Sequence, residues 1–432
     1  MTSRAPRASG VSHASGRSLG GLDAVNVFLA DVQTGVGPFV AIILASRGWN
    51  ANAIGVALTV GGLAAVVTQI PVGAWVDAAR NKRGILAMAI VATAVSAAVL
   101  ALTANEALVL AAQGLHGAAT ALMGPVVIAI SLGMVGHRAL GERLGRNRRF
   151  DAAGNLSAAA LMGLAGYFFA PVAIFWVTVM LAVPALASLA RIDPKDIDHA
   201  TARGTAPKGA PVRLADLRKN RRLLVLLACA VLFHLANGAM LPLLGTVLVR
   251  GRAAHSSLLL SLCIMTTQVV VLLAAPWCGR QSERRGRKPL LLLGFGVLPV
   301  RAVLYALTTS APMLVGIQIL DGLAATVFST VAPLVVADVT KGTGRGNVGQ
   351  GALGLAVGVG GALSNAMAGA IVDRYGYGAG FIGLALVAVA AFILLLTAMP
   401  ETRPDADEEA EHPGRTGNSR LPSGEAEAKG AA

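Results

Sequence analysis

The sequence predicts an all-α membrane protein of twelve transmembrane helices in two six-helix bundles. Three observations carry this prediction. The 432-residue chain is 55% hydrophobic and only 13% charged, with a mean hydropathy of +0.67. Its apolar residues fall into twelve runs, most of them near the ~20 residues a helix needs to cross a hydrocarbon core. Two local patterns also recur in the second half at nearly one offset from the first.

The first six runs are Gly20–Ala45, Ala51–Val76, Gly84–Ala104, Ala107–Val135, Asp151–Phe169 and Pro171–Ala190. The other six are Leu223–Val249, Ser256–Cys278, Pro289–Leu307, Ala311–Ala337, Val348–Val372 and Gly378–Met399. Runs five and six are divided only at Ala170-Pro171, where proline disfavours helix at the residue before it. The domain plan follows: a polar N-terminal tail 1–18, a bundle 19–190, a basic central loop 191–222, a second bundle 223–400 and an acidic tail 401–432 expected to be disordered. No cleavable signal peptide is expected, because the first apolar run is too long and contains Asp23 and Asp31. The 51 glycines and scarce aromatics suit helices that pack closely in lipid.

The formal charge of +14 does not point to nucleic acid. The bases lie in short clusters between apolar runs, not along one soluble face. With a cytoplasmic N-terminus, 31 of the 36 Lys+Arg fall in inside segments and four in outside loops, Arg47, Arg250, Arg252 and Arg374. Arg301 is the one left inside a run. The positive-inside rule then predicts a multi-pass cell-membrane protein with both termini cytoplasmic. The three cysteines, Cys229, Cys263 and Cys278, lack metal-ligand spacing and read as small packing residues. No cofactor or metal is expected.

The repeat is carried at two places. Gly73, Asp77 and Lys82 follow the second run, and Gly279, Glu283 and Lys288 follow the eighth, an offset of 206. Gln113-Gly114-Leu115 with Thr120 and Pro125 pairs with Asp321-Gly322-Leu323, Thr326 and Pro333 at an offset of 208. Equivalent sites in each half imply parallel six-helix repeats, and such halves often rock against one another around a shared site.

On these residues the chain resembles the major facilitator superfamily over roughly 19 to 400. Gly279, Glu283, Arg284, Gly286, Arg287 and Lys288 follow the family's loop motif G-x-x-x-D-R-x-G-R-K, with Glu283 for Asp. The first copy keeps Gly73, Asp77 and Lys82 but has Arg80 where the family has glycine and Asn81 where it has a base. The resemblance implies that both copies gate one mouth of the transporter. Gln113-Gly114 is similar to the fourth-helix motif R-x-x-Q-G, with Leu110 at the arginine position. Span five lacks the antiporters' G-P-x-x-G-G, yet drug/proton antiporters are the members the chain most resembles. The resemblance implies a chain that acts as a monomer in the bilayer on a small-molecule substrate, with protons as coupling ion.

Ionisable groups deep in a membrane are expensive and need a reason. Asp31 lies near the midplane of span one beside Gln33 and a loosened Gly35/Gly37/Pro38 stretch. It reads either as a protonatable or cation site, or as a carboxylate satisfied by its neighbours. His234 and Asn237, one turn apart in span seven, are placed facing Asp31 and Gln33 across the halves. Arg301 and Asp321 have matching depths in spans nine and ten, and read as a structural pair or as an anion-binding or proton-coupling pair. Gln69, Gln113, Gln268, Asn155 and Asn365 bond either substrate or another helix, and His116 and His234 read either as packing residues or as proton relays. Asp23 and Asp338 read as loop or cap residues. A proton-coupled exporter of small organic molecules is the first expectation, an uptake symporter or facilitator the second. A membrane enzyme lacks a nucleophile–base pair or phosphate loop in the sequence, and a sensor lacks an added soluble domain.

Overall fold

A computed structural model describes residues 14–30, 36–202, 220–340 and 346–402. Its helices are α1 (Gly16–Ala30), α2 (Val36–Ser46), α3 (Ala51–Ala78), α4 (Lys82–Leu102), α5 (Glu106–Phe168) and α6 (Ala173–Ala190). After a 3-10 turn at Pro194–Asp196 come α7 (His199–Ala202), α8 (Arg221–Asn237), α9 (Met240–Arg285), α10 (Arg287–Leu307), α11 (Ala311–Thr340) and α12 (Gly346–Ala398).

Nine helical runs among the described residues are long and apolar enough to cross a membrane. The longest, Val348–Ala398, is two crossings, because Gly376 breaks it with φ 83° and ψ 171°. α5 likewise turns at Gly136, with φ 71° and ψ 174°, and its second arm is the fifth crossing. α1 and α2 flank residues 31–35 where the first crossing is expected. Counted this way, the helices are consistent with twelve crossings. Large apolar side chains such as Met180, Leu273 and Leu386 are more than 60% exposed, as suits helices surrounded by hydrocarbon.

The break between spans five and six falls at Phe169–Val172, as the proline predicts. Other boundaries differ. Residues 137–150, expected as a basic loop, are helical and lengthen span five. Hydropathy excludes such an arginine-rich stretch from a span, but tertiary ion pairs hold it in helix. The start of the central loop is also structured. Ile192, Ile197 and Ala202 are buried in the N-terminal half, and the Asp198 amide donates to Gly133 O at 2.9 Å.

One end of the bundle carries the basic connections at residues 79–81, Gly136 and Gly286; we call it the basic end. At that end each half has a core of its own. Leu22, Leu86, Met123 and Leu189 belong to the first, and Leu226, Leu291, Val331 and Leu395 to the second. At the opposite end the cores merge. Leu260 of the second half is buried with Ile42, Ile54 and Phe175 of the first.

Small residues make that merger possible. At Gly62 an added Cβ would sit 2.7 Å from Ala362 Cβ, and at Gly166 2.5 Å from Ser257 Cβ. Thr59 Oγ1 donates to Ala362 O at 2.8 Å. Without apolar burial to drive association in lipid, such close backbone approach and interhelical hydrogen bonds hold the halves together.

Candidate functional site

Between the halves lies a cavity of about 440 Å³. Much of its first-half wall is glycine backbone, from Gly61 and Gly62 of α3 and Gly117 of α5. The same half presents Gln113, His116 and Thr120. The second half presents Asn237, Arg301, Asp321 and Asn365. Five of the residues expected at a central site are therefore brought together: Gln113, His116, Asn237, Arg301 and Asp321.

Arg301 and Asp321 form an ion pair between α10 and α11, with the arginine side chain 1% exposed. Thr267 Oγ1 donates to Asp321 Oδ2 at 3.0 Å and lies 3.3 Å from Gln318 Oε1. The Arg301 guanidinium carbon also sits 5.6 Å from the centre of the Tyr305 ring. A pair in this setting is mutually necessary, since removing one member leaves a buried charge. Several buried polar atoms of the site have no partner among the described residues. They include His116 Nδ1, Asn237 Oδ1 and Arg301 Nε. Buried groups of this kind are normally bonded, so unmet ones lining a cavity are the mark of a place built for a polar solute.

The other expected residues lie elsewhere. His234 does not line the cavity. Its ring packs 4.6 Å from Phe328 and 5.2 Å from Phe233, and its Nδ1 lies 3.1 Å from Ala230 O. Gln268 is half-buried on α9, away from the cavity lining. Asp31 and Gln33 lie outside the described residues, as does the side chain of Asp77 beyond Gly73 in α3. Asn365, one of the intramembrane amides of the sequence, also lines the cavity. Thr267 and Gln318 are not legible in the sequence: Thr267 buttresses Asp321 from α9 and also reaches Gln318 of α11, and nothing in their spacing alone marks them.

The two loop motifs differ physically. Gly286 turns the chain from α9 to α10 in a single residue at φ 94°, a conformation essentially reserved for glycine. The first copy has Arg80 there, and its connection widens to Ala79–Asn81. In the second copy Arg287 is 5% exposed and bonds Glu283 at 3.0 Å, Asp338 at 3.2 Å and Ser282 Oγ at 3.1 Å. Glu401 accepts from the amides of Arg287 at 2.7 Å and Lys288 at 3.1 Å, capping α10 from just beyond α12. In the first copy Lys82 is buried, and its Nζ donates to Val76 O at 2.8 Å and Ala79 O at 3.1 Å, closing the C-terminus of α3. Gly279 and Arg284 lie in the last turns of α9.

Asp338 is thus an ion-pair partner, and Asp23 departs further from a loop or cap. Asp23 is buried on α1 and holds Arg143 and also Arg146, whose Nη2 is 2.6 Å away. Arg143 Nε donates to Asn147, which donates to Ser131 Oγ at 2.9 Å. This network fastens the helical 137–150 stretch.

Comparison with known proteins agrees with this architecture. A profile of the Major Facilitator Superfamily matches residues 24–274 and 251–428. Uncharacterised MFS-type transporters from two strains of Mycobacterium tuberculosis are 42% identical over 387 residues, covering 88% of this chain and 93% of theirs. The crystal structure of the nucleoside transporter NupG superposes with a TM-score of 0.72 at 15% identity, covering 88% of this chain and 98% of that one. A bacterial homologue of the human lysosomal transporter Spinster, in an inward-facing and occupied conformation, gives 0.64 at 13% identity over 88% and 94%. The last two likenesses concern fold alone. With a family profile spanning most of its length and relatives at 42% identity, the chain belongs to the major facilitator superfamily and is a multi-pass membrane transporter.

Proposed function

We infer that this transporter exports a small organic solute by alternating access, in exchange for protons carried by Asp321. The observation that supports this best is the Arg301–Asp321 pair at the wall of the cavity between the halves. Asp321 is the one acid among the described residues lining that cavity. A volume of about 440 Å³ suits a solute of modest size. The halves meet tightly at the end away from the basic loops, so the cavity serves the basic end. With the basic loops cytoplasmic, that is the loading state of an exporter.

The exchange follows from charge. A cationic or hydrogen-bond-donating group of the solute takes the Asp321 carboxylate in the loaded state. When the cavity opens to the other side, a proton binds Asp321 and that group leaves. The protonated carrier returns, and loss of the proton on the near side restores the carboxylate for the next solute, so one proton enters for each solute that leaves. Each state biases the equilibrium only through what it binds differentially. One chain holds both halves, so a monomer suffices.

A growth screen of a deletion strain against toxic compounds supplies a transported solute. In proteoliposomes, wild type should concentrate it against its gradient only with an imposed pH gradient. Asp321→Asn should lose concentrative transport while retaining part of its solute exchange. Concentration at the wild-type level by Asp321→Asn overturns the assignment.

A further inference from the structure

We propose that a second cavity, of about 510 Å³ between α4, α6 and the segment after α6, binds the headgroup of an anionic phospholipid at the basic end. It shares no lining residue with the central cavity.

Its chemistry is sharply divided. Arg80, Asn81, Lys82, Arg83 and His199 form the polar side, and among the described residues no Asp or Glu lines it. Arg83 Nε and His199 Nδ1 are buried with no hydrogen-bond partner among the described residues. Arg83 Nη2 makes a long 3.5 Å contact to Ala190 O. Arg80 is exposed at the rim. Lys82 Nζ is committed to the carbonyls of α3, yet leaves its positive charge at the wall. The first turn of α4 opens on the same side, adding the positive end of a helix. Two guanidinium groups and an imidazole are apt donors for a phosphate.

The opposite wall is apolar, with Ala87, Leu186 and Leu189. A free anion makes no use of such a wall, whereas the glycerol and first methylenes of a lipid do. The site is also open to lipid laterally. Met88 and Val91 of α4 and Val183 of α6 are 50%, 47% and 68% exposed on the neighbouring faces. Basic pockets at the ends of transmembrane helices are a recurrent setting for anionic headgroups.

The test uses purified full-length protein and native mass spectrometry with equal phosphatidylglycerol and phosphatidylcholine of matched chains. Wild type should retain phosphatidylglycerol about fivefold over phosphatidylcholine, and Arg80→Gln/Arg83→Gln should fall to within about twofold. Arg148→Gln/Arg149→Gln, an exposed pair with the same charge loss, should keep the preference. Arg80 is exposed, so Arg80→Gln alone reads the effect without risk to folding, and should at least halve the preference. Full preference in the pocket variants, or equal loss in the control pair, overturns the proposal. Displacement of the lipid by millimolar inorganic phosphate would make this a free-anion site and also overturn it. Neutralising Asp405, Asp407, Glu408, Glu409 and Glu411 together should leave the preference unchanged. A marked rise on neutralisation would give the pocket to the chain's own acidic tail instead.

Discussion

The hydroxyl of Thr59 on α3 donates to the backbone carbonyl of Ala362 on α12 at 2.8 Å, across the seam between the two halves. One turn further along α3, Gly62 leaves room for Ala362, whose Cβ would lie 2.7 Å from a Cβ at Gly62. Overpacking of this kind costs about 1–3 kcal/mol, which is roughly a fivefold to 150-fold shift in a two-state population. Gly62→Val should therefore favour opening at this end. The check is Asn365→Cys in a background lacking Cys229, Cys263 and Cys278, labelled by an impermeant maleimide from the side of the Thr308–Ser310 turn. Labelling should rise on the order of tenfold with Gly62→Val. An unchanged rate means the seam does not control access.

The Arg301–Asp321 pair can be separated into its structural and functional parts. Arg301→Ala alone strands a buried carboxylate, and should destabilise by about 3–5 kcal/mol. Arg301→Met with Asp321→Leu should recover most of the thermal midpoint in detergent, because apolar replacements of buried pairs are often neutral. Transport should remain absent. A stable double variant that still transports would make the pair purely structural.

The Asp23 network predicts an order of effects. Arg143 is 5% exposed and Arg146 52% exposed, although both bond the same carboxylate. Arg143→Gln leaves Asp23 less compensated in a buried setting, and its thermal midpoint should fall clearly below that of Arg146→Gln. Asp23→Asn should be at least as damaging as Arg143→Gln, at about 3–5 kcal/mol. Equal midpoints for the two arginine variants would mean that Asp23 gains nothing from the deeper partner.

Two glycines of one loop motif should respond oppositely to a methyl group. At Gly279 an added Cβ meets nothing within 4 Å, and Gly279→Ala should be close to neutral. At Gly286 the φ of 94° and the Glu401 carboxylate both stand in the way. Gly286→Ala should cost about 1–3 kcal/mol by strain alone. Glu401→Ala removes the cap on α10 and should cost about 0.5–2 kcal/mol. Thermal unfolding of the three variants in one detergent decides it.

The basic end is assigned to the cytoplasm by charge bias. Single cysteines replacing Thr309 and Lys195, in a cysteine-free background, should label from opposite sides of a sealed membrane, the second from the cytoplasmic side. Labelling of both from one side overturns the twelve-span arrangement, and opposite labelling with the sides exchanged reverses the orientation.

Much of this architecture is legible in the sequence because lipid permits few solutions. Spans follow from apolar length, and the deep charges Arg301 and Asp321 are forced to find each other, so counting depth from the span ends is enough to pair them. Asn237, Gln113 and His116 reach the cavity for the same reason. His234 does not, because its ring packs between Phe233 of its own helix and Phe328 of α11, which no local pattern reveals. The helical state of 137–150 and the burial of Asp23 are hidden in the same way, since each is intelligible only once the other is known. Arg80 departs from the motif in the sequence, and the physical consequence, a connection widened to Ala79–Asn81, is seen only in the structure.

Gly136, Gly286 and Gly376 join their helices through single residues with nearly the same ψ, 171° to 174°. A joint of one residue holds no slack. Neither helix can slide along its axis or retreat from its mate without unwinding a turn, and an inserted residue has nowhere to go. Across these three joints the arms stay tethered end to end, so axial travel in a transport cycle must be shared by both helices of a pair, while a single glycine still lets them pivot.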